Sequence, residues 1–325
     1  MRTTFIESLS ELATDNPNIW LLCGDLGYSV LEPFVAKFPD RFINVGVAEQ
    51  NMAGVAAGIA LSGKTVFIYS IGNFPTLRCL EQLRNDVCYH GADVKVVAVG
   101  AGFAYGSQGY TQHALEDAGI MSMLPGIEVF VPCDPMEVRA ATRLIASSGK
   151  PSYLRLSRAG EPNLGSTPVV DLRKPRVLRE GQDVAILASG PIASRAMEAA
   201  DELAKRGRNV GVISVSCLKP FQSELVRNSI RGAAIVVTIE EHILRGGLFS
   251  LVASAFADWT QRPPVIGIGI PEQSGKASRA GSREVLLDAA GLSAQTIAER
   301  IEQQLANFEL NGSAPEHRRI SRLMD

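Results

Sequence analysis

Arg41-Phe42-Ile43-Asn44-Val45-Gly46-Val47-Ala48-Glu49-Gln50-Asn51-Met52-Ala53-Gly54-Val55-Ala56-Ala57-Gly58-Ile59-Ala60 joins two kinds of patterning in one stretch. Phe42 to Val45 reads as a short strand, Gly46 interrupts it, and a helix of small apolar residues opens near Glu49. Gly54, Ala57, Gly58 and Leu61 recur at helical spacing, which lets a second backbone approach closely, as at a subunit interface. The acid at the head of this helix has an ordinary explanation, because a carboxylate is favoured at the positive end of the helix dipole.

The same strand-then-helix logic repeats on both sides. Asn18 to Cys23, Thr65 to Tyr69, Val94 to Val99, Glu128 to Pro132 and Ser152 to Leu156 are short apolar runs, each leading into a turn or helix signal. Runs of this kind belong to parallel sheets covered on both faces. After Arg158 the pattern lapses into Gly160, Pro162, Gly165, Pro168 and Pro175, and a linker is expected over 161–182. A second series follows, with Val184 to Ala188, Asn209 to Val215, Ala234 to Ile239 and Pro264 to Ile270 as strands and Ile192 to Lys205 as a helix. The expectation is an α/β protein of two domains with mainly parallel sheets flanked by helices, over 1–160 and 183–306. The tail, 307–325, lacks an apolar face, and disorder is expected there.

A chain of 325 residues suits two domains, and 46% apolar with 20% charged residues is ordinary globular composition. The net charge of -2, with acids and bases interleaved, supplies no basic stripe for a phosphate backbone, so nucleic acid is not an expected partner. No apolar run reaches a membrane-spanning length, and the first residues have no apolar signal core. Neither a membrane nor secretion is expected, and the cytoplasm is the expected location. The five cysteines, Cys23, Cys79, Cys88, Cys133 and Cys217, are scattered without a C-x-x-C pair, and they read as reduced buried thiols.

The string V-G-x-A-E-x-x-M, Val45 to Met52 here, resembles the transketolase family and its relatives, deoxyxylulose-phosphate synthase and the beta subunits of 2-oxo-acid dehydrogenases. The resemblance runs from about Met1 to Leu305 and implies a pyrimidine-binding domain followed by the transketolase C-terminal domain. It implies thiamine diphosphate as cofactor, with Glu49 hydrogen-bonding N1′ of the aminopyrimidine so that the ring's own nitrogen becomes the base. Tyr69 to Asp86 resembles the segment that supplies an aromatic face to that ring. Phe74 is the first candidate and Tyr69 the reserve, with ordinary core aromatics as the alternative.

Gly102 to Asp117 resembles G-x-x-G-x-T-H-Q-x-x-E-D, but Gln112 stands where the family has its histidine, and His113 follows one place later. On a helix start that shift turns a side chain by about 100°. His113 is therefore a candidate for proton transfer or for a structural role, and Gln112 for a hydroxyl of the substrate. Arg2, Ser29 and Arg158 match positions where transketolases clamp a sugar phosphate, with surface ion pairs as the alternative for the arginines. Asp25 matches an aspartate beside the cofactor, or a loop acid making local backbone bonds. The family's phosphate-binding histidine near Gly100 and its hydroxyl-reading aspartate near Gln108 are both absent. Lys219-Pro220-Phe221 and Glu240-Glu241-His242 continue the resemblance, and His242 reads as structural.

The family's magnesium motif, G-D-G with a downstream asparagine, is missing, since Gly24-Asp25-Leu26-Gly27 falls at the place of another motif. The resemblance thus implies a split transketolase. A separate N-terminal, pyrophosphate-binding subunit would hold the diphosphate and Mg2+, in a heterotetramer of two chains of each kind. The reaction implied is transfer of a two-carbon ketol unit from a ketose or ketose phosphate to an aldose. The alternatives are a decarboxylating acyl transferase acting on pyruvate or another 2-oxo acid, and an inactive, cofactor-binding regulatory subunit.

Overall fold

The computed structural model describes residues 1–158, 160–165, 169–272 and 280–310. Its strands are β1 (Ile19–Cys23), β2 (Phe42–Asn44), β3 (Thr65–Ile71), β4 (Val94–Val99), β5 (Glu128–Phe130), β6 (Ser152–Leu156), β7 (Arg176–Arg179), β8 (Val184–Ser189), β9 (Val210–Ser214), β10 (Cys217–Lys219), β11 (Ile235–Ile243) and β12 (Val265–Ile270). They form a seven-stranded sheet in the order β10-β5-β6-β4-β3-β1-β2 and a five-stranded sheet in the order β12-β11-β8-β9-β7. Every pairing is parallel except β10 on β5 and β7 on β9. The architecture is the two-domain α/β arrangement read from the sequence.

Both faces of the first sheet are covered, which is why its central strands are buried along nearly their whole length and mostly apolar. On one face Met52, Ala53, Ala56 and Ala60 of the helix Glu49–Leu61 pack against Leu22, Val66, Ile68 and Val96. On the other, Phe5 and Leu9 of the helix Arg2–Asp15 and Val138 and Ala141 of the helix Pro135–Ala146 meet Leu21, Phe67, Tyr69 and Val97. The small residues of the Glu49 helix therefore divide. Ala57 is buried inward, whereas a side chain added at Gly54 or Gly58 would meet nothing within 4 Å, and Leu61 is exposed.

Two strands escape a reading by periodicity. β7 lies inside the stretch read as linker; it is a polar edge strand, held by Arg176 on Asp134 (2.9 Å) and on Glu137 (3.4 Å). β10 comes from the second half of the chain yet completes the first sheet, pairing Cys217 with Phe130 and Lys219 with Val129. Neither RVLR of β7 nor CLK of β10 shows the apolar run or the alternation that marks a strand. The two domains thus share a sheet edge as well as a core cluster in which Leu187, Val215 and Phe256 join the first domain's residues. The terminal helix, Ala294–Leu310, runs into the stretch read as a tail, and Phe308 packs against the second domain's core. Residues 311–325 of that tail lie outside the described residues.

Glu240, 3% exposed, closes the N-terminus of the helix Leu248–Ala255 by accepting from Leu248 N (2.7 Å) and Phe249 N (2.9 Å). Burial pushes its carboxyl up to about 7, against the lowering effect of those two N–H groups. Between the ordinary carboxylate value and 7 the folded chain holds a proton that the unfolded chain has released. Stability from this group is therefore greatest at acid pH and is lost as pH rises through that window. Chemical denaturation of Glu240→Gln beside the parent should show the parent's advantage shrinking from pH 4.5 to pH 7, by on the order of 3 kcal/mol. A constant difference would show that Glu240 is already ionised at pH 4.5.

Candidate active site

The segments singled out from the sequence converge because parallel strands all deliver their following loops to one edge of the sheet. Asp25 and Ser29 follow β1, Glu49 follows β2, Phe74 follows β3, Gln112 and His113 lie in the loop after β4, and Arg158 follows β6. Such carboxyl-end crevices are where open α/β sheets bind ligands.

Glu49 is 1% exposed at the first turn of its helix. Its Oε1 accepts from Ser70 Oγ at 3.2 Å, and its Oε2 faces Arg78 Nη1 at 2.7 Å. Gly24 makes room for it, since a side chain there would begin 3.2 Å from Glu49 Oε1. Arg78 is itself laid over Phe74, with its guanidinium carbon 4.4 Å from the ring centre. A flat group with hydrogen-bond donors on one edge therefore fits between the Phe74 ring and the Glu49 carboxylate, because such a group already sits there. The aminopyrimidine of thiamine diphosphate has that shape, and with a proton on N1′ it offers the carboxylate one N–H, so the residues present fit it.

Tyr69 does not share this site. Successive strand residues face opposite sides of a sheet, so with Ser70 turned toward Glu49 its neighbour points away. Tyr69 is buried against Phe5, ring centres 6.1 Å apart and planes 16° apart, and burial pushes its phenol up. The reserve aromatic is thus a core residue, and Phe74 is the one beside Glu49.

The loop after β4 also departs from the expected helix start. Tyr110–Gln112 forms a single tight turn, His113 is extended, Ala114 bridges to Ala101 and Gly102, and a helix begins only at Asp117. His113 is 2% exposed; its Nε2 lies 3.2 Å from the Gly106 carbonyl and its ring stands edge-on to Phe103 at 5.0 Å. Nδ1 is enclosed without a partner. In this setting the imidazole fastens one end of the loop to the other and has no nitrogen at the surface of the free chain, which favours the structural of its two readings. Gln112 is half-buried just before it, in the place matched to the family's histidine. Asn73 secures the turn by donating from Nδ2 to the His113 carbonyl at 2.8 Å.

Asp25 is exposed at φ 56° and brackets Asn44: its N–H donates to Asn44 Oδ1 and Asn44 Nδ2 donates to its Oδ1, both at 3.0 Å. Asn44 Oδ1 also accepts from Gly46 N at 3.0 Å, so Asp25 helps fix the approach to Glu49. Ser29, exposed at φ 62°, donates its N–H to Glu32 Oε1 at 2.7 Å. Arg2 lies within electrostatic reach of Tyr69 and Arg158 stands over Tyr105 at 5.5 Å, so both belong to the Tyr69 side of the sheet. His242 is a bridge between domains: Nδ1–H donates to the Ile243 carbonyl (2.6 Å), and Nε2 accepts from Gly119 N (3.2 Å). Burial and Arg155 lower its pKa, which keeps it neutral.

The second domain also braces the loop. Glu241 accepts from Phe103 N at 2.8 Å and is gripped by Arg283 at 2.6 Å. Gly102 (φ +62°) is obligatory there, because a side chain would begin 2.3 Å from Glu241. Among the described residues, the only cluster of His, Cys, Asp or Glu close enough to share a metal is Cys133, Asp134 and Glu137. It is buried and committed elsewhere: Asp134 bonds Glu137 N and Leu164 N as well as Arg176. This is no cradle for a pyrophosphate-bound cation. No helix among the described residues is long and apolar enough to cross a membrane.

Residues 1–161 match the transketolase pyrimidine-binding domain and residues 173–297 the transketolase C-terminal domain. A putative transketolase C-terminal section from Methanocaldococcus jannaschii is 34% identical over 94% of this chain and 96% of its own length. The chain belongs to the transketolase family. An apulose-4-phosphate transketolase subunit from Phocaeicola vulgatus is 33% identical over 84% of this chain and 88% of that one. Among solved structures, a split gene transketolase described as an inactive beta4 tetramer superposes with a TM-score of 0.84 at 36% identity, covering 94% of this chain and 98% of that chain. For a transketolase, Ser70, Arg78, Gly24 and Asn44 are additions around Glu49 that no motif singled out. Phe74 and Arg78 meet across an irregular turn that precedes the short helix Leu77–Cys79, a placement that helical spacing does not foretell.

Proposed function

We propose that this chain is the pyrimidine-binding subunit of a split, thiamine-diphosphate-dependent transketolase that moves a two-carbon ketol unit from a ketose donor to an aldose. The observation that carries the reading is the enclosed Glu49 carboxylate, facing a planar cation stacked on Phe74. Bound there, the cofactor would supply a thiazolium carbon able to act as nucleophile and electron sink. Glu49 holds the pyrimidine N1′ and favours the tautomer whose exocyclic nitrogen is basic. Phe74 supplies the face against which the ring lies, and Gln112 offers an amide to a substrate hydroxyl. Arg2 and Arg158 are the cations for a donor phosphate, with Ser29 as a further polar contact.

The diphosphate and Mg2+ are assigned to a partner chain, in a heterotetramer of two chains of each kind. Two features favour a partner: the open face of Gly54, Gly58 and Leu61 beside Glu49, and the relative whose beta4 tetramer is inactive. Mixing the chain with a pyrophosphate-binding subunit should produce ketol transfer that neither shows alone. Turnover by this chain by itself sinks the split-site reading. Release of carbon dioxide from pyruvate by the mixture would move the reaction to the 2-oxo-acid class.

A further inference from the structure

Arg78 makes the two contacts that the proposed function assigns to the cofactor's ring. Its flat guanidinium lies on Phe74, and one N–H edge donates to Glu49 Oε2. We infer that Arg78 is a stand-in for the aminopyrimidine, holding Glu49 and Phe74 in place in the free chain and leaving both when the ring arrives.

The inference rests on the burial of the two partners. Glu49 is 1% exposed, and apart from Arg78 its only hydrogen bond among the described side chains is from Ser70 Oγ. A carboxylate so enclosed is costly without a charged partner, so the free site needs a cation. Arg78 is 42% exposed, so one side of its head group is already in water and its departure leaves no buried charge behind. It sits in the single helical turn Leu77–Cys79, and Leu77 beside it is exposed, which leaves room for an outward swing. Its guanidinium is held by Glu49 and Phe74, the two groups the ring requires.

Binding is then an exchange of one planar donor for another. Deleting the guanidinium destabilises the free site more than the filled one, and affinity for the cofactor rises. A residue that remained beside the ring to support it would have the opposite effect, and this difference in sign makes the inference testable.

The inference depends on Glu49 being the pyrimidine's partner. The experiment is titration calorimetry of thiamine diphosphate with Mg2+ into the assembled complex, for the parent, Arg78→Met and Arg78→Lys. Arg78→Met, which keeps the stem and removes the fork, should bind about tenfold more tightly, equivalent to about 1.4 kcal/mol. Arg78→Lys, with a charge but no plane to lie on Phe74, should fall between the two. Weaker or unchanged binding by Arg78→Met, in a complex whose circular dichroism and size match the parent, overturns the stand-in role alone. Absence of binding by the parent complex overturns the Glu49 reading and the inference with it.

Discussion

Glu49→Gln in the assembled complex is expected to lower turnover by about 10²–10⁴-fold, the range that a positioned acid–base group contributes. The substitution keeps volume and leaves an amide oxygen to accept from Ser70 Oγ. Arg78 loses its ion pair but is half in water, so no buried charge is stranded and the fold should hold. What disappears is the negative charge that favours the basic tautomer of the pyrimidine. The effect should therefore fall on chemistry, with cofactor affinity changed far less than turnover. Exchange of the cofactor's C2 proton with deuterated solvent, followed by NMR, reads that step directly. Parent-like exchange in Glu49→Gln would remove this carboxylate from the mechanism.

The fold is legible in the sequence because its strands are covered on both faces, so β1 is an unbroken apolar run, and β8 and β11 likewise begin as one. What escapes is short or polar. β10 is three residues taken from across the domain boundary, and β7 gains its hold from Arg176 and two carboxylates rather than from apolar alternation. The site is legible in the same uneven way. Glu49 and Phe74 stand out through strings that match a family, and the structure sets them on either side of one guanidinium. Tyr69 misleads because a single residue along a strand reverses the face, a distinction carried by register alone. His113 misleads because the loop does not become a helix until Asp117, so an argument from helical angles does not apply. Nothing local in the sequence announces that Glu241, more than a hundred residues away, caps Phe103.

Asp117→Ala should produce the largest loss of stability. Asp117 and Arg155 are both almost wholly buried, and Oδ2 accepts from Arg155 Nε at 2.8 Å and from the Tyr153 hydroxyl. The arginine keeps Asp117 below the usual carboxylate range despite the opposing effect of burial. This contribution is present above the unfolded carboxylate value and is lost as pH falls through the depressed one. Arg155 Nη2 meanwhile donates to the Ala114 carbonyl (2.6 Å) and the Glu241 carbonyl (3.1 Å), so one ion pair ties β6 to the loop and to the second domain. Removing the acid leaves a buried guanidinium without a counter-charge, at a cost of about 3–5 kcal/mol. Urea unfolding of the variant should show a midpoint well below the parent's. Removing both charges in Asp117→Ala/Arg155→Met should recover part of the loss, because replacing a buried pair by apolar groups is far less costly than breaking it. If the double variant is as unstable as the single one, the stranded charge is not the cause, and the packing of Tyr153 and Ala114 around the carboxylate is.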